Sequence, residues 1–525
     1  MPLARAHSIA LVGVQGHPVE IEADIENGLV GLMLVGLPDA ALREARDRIR
    51  SAIVNSKEHW PQRRITVGLS PASLPKRGSG FDLGIAVAVL CAAGAAPAAG
   101  LRDVVFIGEL GLDGRARPVP GVLPAAAAAA AAGFLTLAVP AQNAPEALLV
   151  PGLRVLAVPS LRSLLAWLRG RPAPDGTAQV EVGEGGTAQP ARPGAAAGTD
   201  QGHRRDLAEV VGQPTARRAA EICAAGGHHL LLVGPPGAGK TMLAERLPTV
   251  LPVLEPAAAL EVTAIHSVAG TLPAGRPLLT EPPFCAPHHT ATKAAIVGGG
   301  NGVIRPGAAS LAHHGCLFLD EAPEFSRDVL DALRQPLESG EVVVARSGLT
   351  ARFPARFTLV LAANPCPCAR ASSATSASSA CECTPWVRRR YLARLSGPLL
   401  DRVDVKVEFL PVGRAELLSD RRLTEPSSVV AERVALARQR AAFRLKGTCW
   451  RLNAQIPGSE LRRSYRPASG ALAPLERAMD IGEISARGVD RVIRLAWTIA
   501  DLAGVGRPAT AEVSYALGLW LGVAR

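Results

Sequence analysis

No apolar run in these 525 residues reaches ~18 without a charge, a glycine or a proline, so the sequence holds no candidate membrane-spanning helix. The nearest approach, Ile85–Gly100, is broken by Gly94 and Pro97 and reads as a buried helix followed by a turn. The opening stretch MPLARAHSIALVGVQG lacks the charged-then-apolar pattern of a secretory leader. With nine cysteines in the chain, that points to a reducing, cytoplasmic setting and argues against disulfides. There is no internal repeat. Lysine is scarce: only six of the 57 basic residues are Lys. Acidic residues are outnumbered 57 to 46, giving a net charge of +11. An excess of that sign favours a polyanion partner through counterion release, although an Arg- and Ala-rich chain with a solvated basic surface has the same balance.

With 48% hydrophobic residues the chain can bury sizeable cores, and its length allows two to four domains. Residues 171–205 are dense in Gly, Pro and Ala with no hydrophobic period, the composition of a flexible linker. They part an N-terminal domain, 1–170, from the rest. The second half alternates apolar strands with helical stretches, the pattern of an α/β fold with a parallel sheet. His229–Gly234, Cys316–Glu321 and Phe357–Pro365 read as buried parallel strands. This core is expected to span 206–412. Beyond it, 413–525 reads as a small helical domain, in which Ser485 caps a helix that stops at Gly504. The eight alanines at 125–132 lie between Pro124 and Gly133 and read as one short helix.

Gly234–Thr241, GPPGAGKT, matches G-x-x-x-x-G-K-[ST] between a strand and a helix. Its residues Gly234, Pro235, Pro236, Gly237, Ala238, Gly239, Lys240 and Thr241 would wrap ATP: backbone N–H groups cradle phosphate oxygens, Lys240 reaches the β and γ phosphates, and Thr241 binds Mg²⁺. Eighty residues on, Asp320 ends the apolar strand CLFLDE and would hold the same Mg²⁺, with Glu321 activating the attacking water. Read alone, that pair is a capping carboxylate doublet. Asn364, at the end of the next strand, is placed to position the water. Transition-state charge also needs a cation, for which Arg402 (from a neighbouring subunit) and Arg487 (in cis) are candidates.

Around Asn364 the sequence runs LAANPCPCARASSATSASSACECTP. Its Ala/Ser stretch has too few packing side chains to order itself. Cys366, Cys368, Cys381 and Cys383 on one structural Zn²⁺ would close the loop and pin the strand end. Free buried thiols are the weaker alternative.

The succession GPPGAGKTMLAERLP, PFCAPHHT, SLAHHGCLFLDEAPEF, AANPCPC, SGPLLDRVD and SARGVDRVIRLAWTIADLAG resembles, nearly end to end, the YifB/ComM branch of the magnesium-chelatase-like AAA+ family. The resemblance implies a homo-hexameric ATPase ring. It further implies a DNA helicase that promotes branch migration as transforming DNA is integrated. By it, Lys240, Asp320, Glu321, Asn364, Arg402 and Arg487 take the Walker A, Walker B, sensor 1, arginine-finger and sensor 2 roles. Cys285 and Ala369 depart from the family pattern, which has Arg and Gly there.

The N-terminal segment resembles the Lon-protease catalytic fold through LPKRGSGFDLGIA and GELGLDGRARPVPGVLP. The match puts Gly80 at the nucleophile and Leu123 at the lysine, a pair without hydroxyl or amine, and Ser79 is one position off. A retained fold without peptidase activity follows. Two insertions, Ala291–Gly307 and Glu341–Ala355, face the pore in related rings. Lys293, Arg305 and Arg346 are then candidate DNA phosphate contacts; solvated loop charge is the alternative. His288–His289 and His313–His314, if extended, point to opposite faces and argue against a shared metal. The resulting expectation is an ATP- and Mg²⁺-dependent DNA motor. A chelatase-type ATPase that remodels a metal-insertion partner is the main alternative.

Overall fold

The computed structural model describes residues 3–36, 40–76, 78–172, 179–185, 205–273, 275–300, 304–346, 349–368, 381, 383–410 and 424–523. Its two main sheets have different logic. The first has eight strands in the order β10-β9-β8-β5-β1-β2-β4-β3. Strands β1 (Leu3–Val12) and β2 (Gln15–Glu26) form a long antiparallel hairpin, with Leu3 opposite Asp24 and Val12 opposite Gln15. Burial alternates along β2, whereas Ser8, Ile9 and Ala10 of β1 are buried in succession, as suits a strand covered on both faces. β3 (Gly31–Val35) and β4 (Arg64–Ser70) extend one side. β5 (Val104–Phe106), β8 (Thr136–Pro140) and β9 (Arg154–Val158) extend the other in parallel. β6 (Glu109–Leu110) and β7 (Ala116–Arg117) form a separate small hairpin. The helices Asp82–Ala92, buried along its whole length, and Leu161–Leu168 cover one face. The polyalanine helix, Val122–Ala131, covers the other.

The segment 171–205 is not all linker: β10 (Glu181–Glu184) pairs antiparallel with β9 at the sheet edge. An edge strand needs only backbone pairing, so the polar EVGE gave no hydrophobic period to find.

The second sheet is wholly parallel, in the order β12-β13-β16-β11-β17. It comprises β11 (Leu230–Val233), β12 (Phe284–Cys285), β13 (Cys316–Leu319), β16 (Thr358–Ala363) and β17 (Val405–Glu408). Continuous apolar runs such as Leu230–Leu232 and Cys316–Leu319 suit strands covered on both faces. One face packs against the helix Pro214–Gly226 and the C-terminal helices Ser427–Arg444, Ala486–Ala503 and Thr510–Leu521. Ser485 caps the second of these by accepting the Gly488 N–H, and Gly504 ends it at φ +75°. The other face packs against the short helices around Arg327–Ser339 and Gly397–Leu400. The hairpin β14 (Glu341–Arg346)–β15 (Leu349–Pro354) projects from this unit.

The two units touch. Val12 and Val14 of the first hairpin pack on Ile304, Ala351 and Phe353. The buried Glu146 carboxylate accepts from the Leu123 N–H at 2.8 Å and from the Ser267 hydroxyl.

Candidate active site

β11 leads into the P-loop, and the helix Lys240–Arg246 leads out of it. Gly239 takes φ +96°, a conformation that favours glycine, directly before that helix. At Gly234 a Cβ would lie 2.5 Å from Cβ of Phe409, so the strand-to-loop junction has no room for a side chain. Lys240 is 7% exposed; its Nζ donates to the carbonyls of Gly234 (2.7 Å) and Pro235 (2.9 Å) and to Asn364 Oδ1 (3.1 Å). Burial pushes the Lys240 pKa down, against the pull of Asp320 and Glu321. Thr241 Oγ1 donates to Asp320 Oδ2 at 2.8 Å, and Asp320 Oδ1 accepts the Glu321 N–H at 2.9 Å. The result is a cleft of about 360 Å³ lined by Pro236, Gly237, Gly239–Met242, Asp320, Glu321, Ala363 and Asn364. It opens at the carboxyl ends of β11, β13 and β16, where open α/β sheets bind ligands. The paired hydroxyl and carboxylate are hard oxygen donors suited to Mg²⁺.

Glu321 is a non-glycine residue at φ +49°. Strain of this kind collects at functional sites, and here it turns the side chain toward His289, whose Nδ1 lies 3.6 Å from Glu321 Oε2. Sequence reasoning gave His289 no catalytic neighbour. The contact spans an insertion whose fold the motif does not encode.

Neither arginine lines this cleft. Arg402 and Arg487 share a second one, of about 230 Å³, with Glu338, Asp490, Arg491 and Arg494. Arg402 donates to the Glu338 carboxylate and to the Pro398 carbonyl. Burial lowers its pKa, and Arg487, Arg491 and Arg334 lower it further. Arg491 holds Asp404 at 2.6 Å and the Arg402 carbonyl at 3.1 Å, fixing the turn that carries Arg402. Asp404, buried and hydrogen-bonded to His228, is held below the usual carboxylate range by Arg491 and His228 despite its burial. The Nε atoms of Arg402 and Arg491 are buried without a partner among the described residues. Arg487, expected to reach the nucleotide in cis, lies here beside Arg402 and not among the residues lining the P-loop cleft. Arg487, Arg491 and Arg494 recur at i, i+4 and i+7 on one helix, a spacing that could have exposed the cluster.

Beyond Asn364, Sγ of Cys366 lies 3.2 Å from that of Cys368 and 3.3 Å from that of Cys381, and Cys368 and Cys381 are 3.4 Å apart. Cys383 completes the group, all four sulfurs lying within 4.8 Å of one another. Zn–S bonds of 2.3 Å imply tetrahedron edges of about 3.8 Å, so the four thiols fit one Zn²⁺. The stretch between the two pairs, with Ala369, lies outside the described residues.

At His314 φ is +56°, so His313 and His314 do not alternate as in a strand. Both rings reach Glu261, at 3.0 and 3.4 Å. The objection based on opposite faces fails here, yet a metal still fits poorly. His313 Nδ1 accepts the Arg356 N–H at 2.9 Å, which leaves Nε2 as the proton carrier facing Glu261. That hydrogen bond pushes the Glu261 pKa down to about 2.

Lys293, Arg305 and Arg346 are all exposed. Arg305 pairs through its backbone with Gly299, and Arg346 Nη1 donates to the Gly300 carbonyl at 3.1 Å, so the two insertions meet. In the N-terminal unit Leu123 is buried, and the Ser79 hydroxyl donates to Glu109.

The family profile described as magnesium chelatase, subunit ChlI, matches residues 206–417. Those described as subunit ChlI of Mg-chelatase and as its C-terminal part match 21–143 and 424–519. An uncharacterized protein of Mycobacterium tuberculosis is 52% identical over 519 residues, 98% of each chain. Uncharacterized protein YifB of Escherichia coli is 40% identical over 503 residues, covering 96% of this chain and 94% of its own. Competence protein ComM of Haemophilus influenzae is 39% identical over 521 residues, 99% and 97% of the two chains. The chain belongs to the YifB/ComM family of magnesium-chelatase-like proteins. Within that family the parallel sheet and P-loop cleft are the magnesium-chelatase-type AAA+ core. Among the described residues no helix is long and apolar enough to cross a membrane.

Proposed function

We propose that this protein is a cytoplasmic ATP-driven DNA motor. It acts as a homo-hexamer and promotes branch migration of incoming DNA during natural transformation. The observation that carries the reading is the separation of the two clefts. One chain has a P-loop cleft with Lys240, Thr241, Asp320, Glu321 and Asn364 but no arginine. The same chain gathers Arg402 and Arg487 in another cleft. A site completed between subunits follows, with both arginines meeting the neighbour's nucleotide. The name of the Haemophilus relative, a competence protein, supports the biological setting.

Thr241 and Asp320 would hold Mg²⁺, which would supply positive charge to offset that of the phosphates. Lys240 exchanges its carbonyl and Asn364 partners for phosphate oxygens. Asn364, released from Lys240, orients the attacking water. Glu321 takes the proton as the water oxygen bonds to the γ phosphorus and the bond to the bridging oxygen of ADP breaks. The arginines of the adjoining subunit stabilise the spreading charge. Zn²⁺ on the four cysteines would anchor the end of the strand that carries Asn364. Lys293, Arg305 and Arg346, on insertions that touch, would pull on the DNA backbone. The N-terminal unit, Lon-like in the motifs it retains, serves as a platform without peptidase activity. The helices beyond 413 act as the lid that positions Arg487.

The test is the ATPase rate of the purified protein with and without single-stranded and forked DNA. Stimulation by DNA, with an apparent affinity that falls steeply as salt rises, is the expected result. A rate indifferent to DNA would favour a chelatase-type remodelling ATPase.

A further inference from the structure

The helix Pro385–Leu392 follows the cysteine group. Thr384 caps it by accepting the Val387 N–H at 3.4 Å, and Pro385 opens it. One side faces the core: Tyr391 and Leu395 are buried, and Val387 and Leu392 are half-buried. Trp386, Arg389, Arg390 and Ala393 recur at i, i+3, i+4 and i+7, and all four are exposed. Trp386 is 65% exposed, and the chain's other five tryptophans are buried or half-buried. An indole left in water forgoes one of the largest apolar burials a side chain offers. The Arg390 guanidinium lies 5.2 Å from the Trp386 ring centroid, which holds the indole in place. Among the described residues no carboxylate pairs with Arg389 or Arg390, and Ala393 leaves the end of the face unobstructed.

We propose that Trp386, Arg389 and Arg390 form a contact surface for single-stranded DNA, with a base on the indole and two phosphates on the guanidinium groups. The inference deepens the DNA-motor reading and rests on it. A flat ring beside exposed cations is the chemistry of sequence-tolerant single-strand binding. Exposed guanidinium groups that no carboxylate pairs with among the described residues complement a polyanion rather than an apolar partner.

The position also links such a contact to hydrolysis. Just beyond the helix, Arg394 donates to the Pro323 carbonyl at 3.3 Å and to Glu324 at 2.8 Å, in the turn that follows Asp320 and Glu321. Just before it, Cys381 and Cys383 meet Cys366, two residues from Asn364. A strand on this helix therefore lies one contact away from both ends of the ATP cleft, and its binding is read there as a change in DNA-stimulated turnover.

The experiment is fluorescence anisotropy of a labelled 30-mer oligothymidine with the full-length protein, across a salt series, with oligomeric mass measured for every variant. Trp386→Ala is expected to weaken binding about 5- to 100-fold and Trp386→Phe much less, because a ring remains. The Arg389→Ala/Arg390→Ala double variant is expected to reduce the slope of log K against log salt by about 1.4, two phosphates' worth for a single strand. If the parent binds DNA and these variants match it in affinity and slope, the surface is not a DNA contact, and the motor reading survives. If the variants lose their oligomeric mass, a second copy of the chain covers the face and the proposal fails. If the parent itself binds no DNA, the motor reading falls and takes this inference with it.

Discussion

Lys240 Nζ donates to Asn364 Oδ1 at 3.1 Å, a bond that joins the start of the P-loop helix to the end of β16 across 124 residues. Each side chain thus holds the other in place before nucleotide arrives, and the two should fail differently. Lys240→Ala removes the cation that meets the phosphates and is expected to abolish measurable ATP binding. Asn364→Ala and Glu321→Gln should leave binding within a few fold while slowing hydrolysis, each by about 100-fold or more. Nucleotide titration and steady-state ATPase rates on the three variants check this. Parental turnover in Glu321→Gln would remove Glu321 as the base.

The second cleft gives a sharper test because it fixes which arginines travel together. Equal mixing of Arg402→Ala with Lys240→Ala subunits leaves about a quarter of interfaces with an intact P-loop facing an intact arginine, so activity should return. Arg487→Ala mixed with Lys240→Ala should recover in the same way, whereas an arginine acting in cis would give no recovery. Arg402→Ala mixed with Arg487→Ala should stay inactive, since no subunit then presents both groups to its neighbour. ATPase rates over a range of mixing ratios read all three outcomes.

The parts legible in the sequence were those with local signals. Leu230–Val233 and Cys316–Leu319 are short apolar runs bounded by breakers, and Ser485 and Gly504 mark both ends of one helix. Groupings made by long-range folding left less trace. Glu338 is 64 residues from Arg402 and Asp404 is 87 from Arg491, and neither pair follows a motif. His313 and His314 misled in another way: the expectation assumed extended backbone, and the left-handed φ at His314 swings both rings to one side.

At the start of β11, His229 Nδ1 accepts the Leu359 N–H at 3.0 Å, close to Asp404, Arg491 and His228. Burial pushes its pKa from 6.5 down to about 4. Between those two values the unfolded chain binds a proton that the folded chain refuses. The stabilisation is therefore complete above pH 6.5 and drains away as pH falls toward 4. His229→Gln keeps an acceptor without titrating. Urea midpoints measured from pH 7 to pH 4 should fall less steeply in this variant than in the parent. Equal slopes would assign the acid sensitivity to another group.

The cysteine group offers the last test. If Asn364 orients the attacking water as proposed, it must be held still, and Cys366 is two residues away with its sulfur inside the four-thiol group. Uncoordinated thiols as close as those of Cys366, Cys368 and Cys381, at 3.2–3.4 Å, would gain little from contact with one another. One Zn²⁺ would turn the same geometry into four strong bonds that tie β16 to the arginine-rich helix. Metal analysis of the purified protein should find about one zinc per chain, and the Cys381→Ser/Cys383→Ser variant should have lost it. Because the metal closes a loop that lacks packing side chains, its removal should also raise protease cleavage between residues 366 and 383 while P-loop nucleotide binding persists. Turnover should fall, because Asn364 is then less well held. A metal-free protein with four titratable thiols in this loop and full ATPase activity would overturn the assignment.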